Sequence, residues 1–160
     1  MRSLFHLALA ATLTLAFSAC AKKDPHAGHD HSAHAKHAHT APHGGTLVEL
    51  GEHAFNLEFV RNAAAGKLTA YLLDGHAENF IRIYAASFEV VIKGGTVPRT
   101  LTFKSVANTA TGEMVGDTSQ FEAQADWLKT TATFDAMLTS LEIRGTTFSA
   151  VAFNFPKGNE

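Results

Sequence analysis

Histidine is the residue type with the most chemical potential in this chain. Ten histidines occur in 160 residues. Seven of them, His26, His29, His31, His34, His37, His39 and His43, fall within 18 positions. An unperturbed imidazole titrates near pH 6.5, so near pH 7 most such rings are neutral and can offer a lone pair to an ion. Imidazole suits zinc, copper(II) and nickel(II). Spacings of one and two intervening residues let a flexible chain wrap several rings around one ion, and such a site exists only with the ion bound. Overlapping sets of rings make it modestly selective. A copper(I) site is disfavoured, because Met114 and Met137 are far apart in sequence and Cys20 is the one cysteine. Purification tags are consecutive histidines, whereas Ala, Gly, Ser, Asp and Lys intervene here. A passive polar tether needs no histidine at all, so metal capture is the favoured reading.

Three histidines border or lie within the apolar part of the chain. His43 precedes Gly44-Gly45, a pair that permits positive φ and close backbone approach. His53 follows the turn signal at Gly51, and His76 closes Asp74-Gly75-His76. Convergence of His43, His53 and His76, with Asp74 or Glu52 assisting, would make a folded site for zinc or copper(II). Enzyme signatures are lacking: there is no H-E-x-x-H, no G-x-S-x-G and no phosphate-binding Gly-rich loop. A binding protein is therefore expected rather than an enzyme.

These residues must be positioned by the elements around them. Residues 1–19 read as a signal peptide, with Arg2 followed by an apolar run from Leu4 to Phe17. Phe17-Ser18-Ala19-Cys20 resembles a lipobox, which implies cleavage before Cys20 and lipidation of its thiol. Lipoprotein sorting rules, with Ala21 rather than Asp after that cysteine, imply an outer membrane anchor facing the periplasm. Removal of Arg2 leaves 12 basic against 15 acidic side chains, a balance of −3. No basic stripe is present, so no nucleic acid partner is expected. Residues 20–43 carry no Val, Ile, Leu or aromatic side chain. They are expected to form a disordered His-rich tether reaching roughly 25–30 Å.

From residue 44 to 160 the pattern changes to short apolar runs divided by turn residues, with no α-crossover signal. This predicts an all-β fold, an antiparallel β-sandwich or partly open barrel. Expected strands are TLVEL, HAFNLEFV, KLTAYLLD, NFIRIYA, SFEVVIK, an edge-like TVPRTLTFKSV interrupted by Pro98, the weaker EMVGD and QFEAQA, and a final hairpin around Gly145-Thr146. ADWLKT is expected as one helical turn. In HAFNLEFV, Phe55, Leu57 and Phe59 should face the core, with Asn56 and Glu58 on the solvent side.

PHGGTLVELGEHAFNLEFV followed by GKLTAYLLD resembles small His-rich envelope lipoproteins of bacteria, which pair a histidine-rich N-terminus with an H-G-G lead-in to a β domain. The resemblance covers mainly residues 20–75. It implies an envelope location, a transition-metal ligand and an envelope metal-transport partner. The function expected is buffering, delivery or resistance for zinc or copper(II), and less readily nickel(II). The competing expectation is an interaction or structural module on a passive tether.

Overall fold

The computed structural model describes residues 39–94 and 98–159. The expected signal peptide, Cys20 and five of the tail histidines (His26, His29, His31, His34 and His37) lie outside that range. The described chain is all-β, with eight strands: β1 (Thr46–Leu50), β2 (Phe55–Asn62), β3 (Lys67–Asp74), β4 (Ser87–Lys93), β5 (Arg99–Ser105), β6 (Gln120–Gln124), β7 (Phe134–Ile143) and β8 (Thr146–Phe155). All belong to one antiparallel sheet in the order β1-β2-β3-β6-β5-β4-β7-β8, nearly closed into a barrel. A single 3-10 turn, Asp126–Lys129, precedes β7. The alternatives of sandwich and barrel thus resolve to one curved sheet.

Closure is carried by the core. Phe59 of β2 stacks on Phe153 of β8 at 5.0 Å and meets Phe103 of β5 edge-on at 5.5 Å. Phe103 in turn stacks on Phe88 at 4.9 Å. Rings from strands distant in the sheet order therefore fill one interior, as small barrels require. At the seam between β1 and β8, the Asn159 side chain stands in for a strand. Its Oδ1 accepts from the Glu49 N–H at 2.8 Å, and its Nδ2 donates to the Glu49 carbonyl at 3.0 Å. The β7–β8 hairpin turns on Arg144 and Gly145, both at positive φ, which matches the right-handed strand twist.

Several expected elements differ. NFIRIYA is not a strand. Ile81 donates to the Leu72 carbonyl while Ile83 exchanges bonds with Thr118, so its backbone is divided between two partners and no continuous ladder forms. EMVGD closes on itself as a turn through reciprocal Met114–Asp117 bonds. The run around Pro98 is not an edge strand. Pro98 lies just outside β5, which sits inside the sheet between β4 and β6 and gives up no ladder bond to proline. Asn56 and Glu58 do not face solvent; both are fully buried on the outer face of the barrel.

Candidate metal centre

Residues 39–45 explain that burial. They cross the outer face of β1–β3 as a strap. Gly44 N–H donates to the Ala41 carbonyl at 3.0 Å, closing a turn with Pro42 and His43 at its centre. Proline is preset for the second position of such a turn. The two glycines of the H-G-G motif do separate jobs. Gly44 takes φ +68, whereas a Cβ on Gly45 would lie 2.6 Å from the Phe59 carbonyl oxygen and 2.9 Å from Glu58 Cγ. The strap can therefore lie flat on β2 only with glycine at 45.

Glu58 fastens the strap. Its Oε1 accepts the backbone N–H groups of His43, at 2.8 Å, and Gly45, at 2.9 Å. Its Oε2 stands 2.8 Å from His43 Nδ1. With the carboxylate accepting, Nδ1 is the donor in this contact. The His43 ring stacks on Tyr71 at 4.0 Å and tilts against Phe80 at 5.6 Å. Burial, helped by the Glu122 and Glu58 carboxylates, pushes the Tyr71 phenol above its ordinary range. These three rings form one wall of a cleft of about 380 Å³. Its floor includes the buried Glu113, which accepts from Ser119 N–H, Ser119 Oγ and Thr111 Oγ1. Both Glu58 and Glu113 are thus engaged in holding loops to the barrel.

A second cluster lies at the end of the barrel where β2 begins and β3 ends. Register pairs Phe55 with Asp74, so the turn carrying His53 and the turn carrying His76 are neighbours. Gly75 approaches so closely that a Cβ there would collide with the His53 carbonyl. Asn56 Nδ2 clamps the second turn through the Asp74 and Gly75 carbonyls at 3.0 and 3.1 Å. The strap delivers His39 to these two turns. Its ring centre is 5.9 Å from that of His53 and 5.9 Å from that of His76, edge-on to both. Glu49 holds the first turn: Oε1 accepts the His53 N–H at 2.8 Å, and Oε2 is 3.4 Å from His53 Nδ1. His53 itself adopts φ +57, a left-handed conformation uncommon outside glycine.

The structure therefore brings His39, His53 and His76 together, while His43 turns instead to Glu58 and Tyr71. Asp74 serves its own turn. The Asn79 side chain, followed by backbone N–H groups of Glu78, Asn79 and His76, holds its carboxyl below the ordinary carboxylate range. Glu52 is exposed in the His53 turn, where Glu49 supplies the carboxylate contact. Among the described residues, no three His, Cys, Asp or Glu side chains stand close enough to hold an ion without movement. Sequence reasoning missed Glu49, Glu58 and Tyr71. Each lies on a strand face that alternation assigns to solvent, and no periodicity connects Glu58 and Tyr71 to the strap that packs on them.

What fold and site define is an eight-stranded antiparallel barrel with an imidazole cluster at one end and a glutamate-fastened strap beside it. No protein family, curated protein or solved structure shows significant similarity to the chain.

Proposed function

We propose that the chain is a lipid-anchored protein of the bacterial envelope that binds divalent transition metal and is not an enzyme. Zinc and copper(II) are the favoured ions, with nickel(II) third. The observation that carries this reading is the position of His39. It is the sixth histidine of the run that starts at His26, and its ring lies against two histidines of the barrel. The run thereby leads from a segment suited to ion capture toward a folded imidazole cluster. Lipidation at Cys20 and an outer membrane location facing the periplasm belong to the same reading and rest on the motif around Cys20. The test is metal analysis and calorimetry with zinc, copper(II) and nickel(II). The mature chain is compared with one carrying asparagine at His26, His29, His31, His34, His37 and His39. Several ions should bind the former and far fewer the latter. A mature chain that binds none of the three ions at micromolar concentration overturns the proposal.

A second reading is an interaction module, which a specific observation favours. Tyr84 is 90 % exposed and Phe80 48 %, and Met114 and Val115 lie uncovered nearby. The Ile83–Thr118 bridge and the Arg82–Asp117 ion pair place these two segments side by side. Exposed apolar patches of this kind mark contact surfaces. Metal-independent capture of an envelope protein, lost on Tyr84→Ser, would support that reading over the first.

A further inference from the structure

We infer that His39, His53 and His76 are the three ligands of one defined metal site, with Glu49 as its positioning residue. This deepens the metal-binding reading and rests on it. Two imidazoles on one tetrahedral zinc ion, with bonds of about 2.0–2.1 Å, have ring centres roughly 5 Å apart. The observed 5.9 Å separations exceed that by about an ångström. Binding one ion therefore requires rotation of all three side chains and a small shift of the strap. The barrel side needs no folding rearrangement, because Gly75 already packs against the His53 carbonyl and Asn56 already clamps the second turn.

The second observation is the outer support of His53. Metal-bound imidazole usually gives its other nitrogen to a carboxylate or carbonyl, which sets tautomer and ring orientation. Glu49 Oε2 stands 3.4 Å from His53 Nδ1, placed so that a small tightening on metal binding would engage Nδ1 and leave Nε2 for the ion. The same carboxylate accepts the His53 N–H and so maintains the left-handed conformation at φ +57. Strain of that kind persists where surrounding contacts over-determine it, and it concentrates at ligand sites. Three neutral imidazoles leave a tetrahedral ion one further position, for water or for another tail imidazole. The ligand class is therefore a divalent ion that favours nitrogen, zinc or copper(II). Calcium and magnesium, which require oxygen donors, are excluded.

The experiment uses the full mature chain with asparagine at His26, His29, His31, His34 and His37 only, titrated with zinc chloride against a competing chelator. One zinc ion per chain should remain. His53→Ala or His76→Ala in that background should lower affinity by more than about 100-fold, beyond the 10–100-fold typical of an outer partner. Glu49→Ala should lower it by about 10–100-fold, with Glu49→Gln restoring most of the loss. The nitrogen hyperfine pattern of bound copper(II) should report three imidazoles in the parent and two in His76→Ala. Circular dichroism of each variant identifies any that fail to fold, and the copper spectrum of the parent still counts ligands in that event. One-to-one binding that survives both alanine substitutions, or a copper spectrum with a single nitrogen, overturns this site while leaving the tail reading intact. Failure of the unsubstituted chain to bind any ion overturns both.

Discussion

Removing the Glu58 carboxylate should release the strap and cost much of the barrel's stability. Three donors converge on it: the N–H groups of His43 and Gly45 on Oε1, and His43 Nδ1 on Oε2. Hydrogen bonds to a charged acceptor contribute about 1.5–3 kcal/mol each. The imidazole is 38 % exposed, so water replaces its partner at little cost. The two backbone donors dominate, and Glu58→Ala should lose about 3–4 kcal/mol. That is a large share of the 5–15 kcal/mol typical of a domain, yet leaves it folded. Glu58→Gln should lose only about 1–2 kcal/mol, because its amide oxygen can still accept both N–H groups and its amine can donate to the other His43 tautomer. Urea unfolding followed by Trp127 fluorescence reads both values. With a slope of about 1.5 kcal/mol per molar, the alanine variant should shift the midpoint by about 2 M. Amide exchange at His43 and Gly45 should accelerate in the same variant. An alanine variant within about 1 kcal/mol of the parent, or a glutamine variant as damaged as alanine, refutes the role assigned to this carboxylate.

Three further outcomes are expected. Gly75→Ala places a methyl group against the His53 carbonyl, so it should lose about 1–3 kcal/mol in urea unfolding and weaken zinc binding measurably by calorimetry. Asn159→Ala removes two bonds to the Glu49 backbone at an exposed seam. It should cost about 1 kcal/mol and speed exchange of the Glu49 amide, as read by hydrogen-exchange NMR. Tyr71, with its raised pKa, keeps its proton at a pH where the unfolded phenol, titrating near 10, has lost it. The folded state then binds more protons, so stability contributed by neutral Tyr71 is intact below pH 10 and falls as pH rises through the folded value. Urea midpoints measured between pH 9 and 11.5 should decline more steeply for the parent than for Tyr71→Phe.

Local alternation made much of the barrel legible. SFEVVIK and QFEAQ became β4 and β6 because each alternates against one shared interior, whereas KLTAYLLD became β3 as an apolar run buried on both faces. Alternation identifies a face, however, and not what covers it. Residues 80–86 alternate just as well, with Ile81 and Ile83 buried, yet their hydrogen bonds are split between Leu72 and Thr118. A strand requires a continuous partner, and partners are set by the sheet order rather than by the segment itself. Pro98 misled for the opposite reason: a single residue before Arg99 was enough to take it off the ladder.

Glu58 shows why the site was only half legible. On sequence its alternation predicts solvent, and its neighbours Leu57 and Phe59 do fill the core. The carboxylate is buried by residues thirteen and fifteen positions earlier, which no periodicity connects to it. The same strap determines which histidine reaches the cluster. His39 and His43 are four residues apart, and the turn closed between Ala41 and Gly44 reverses the chain between them. One ring therefore meets Glu58 and Tyr71 while the other meets His53 and His76. Residue type was enough to nominate all four as ligands; chain direction separates the ring that latches the strap from the ring that meets His53 and His76. The separation also bears on the proposed metal site. A ring bonded through Nδ1 to a buried carboxylate anchors the strap regardless of metal, so the ordering cost of bringing His39 to the cluster is already met by folding. At the proposed site an ion would then have only the side chains and a short stretch of strap to order, which would favour a defined site over overlapping sets of tail histidines.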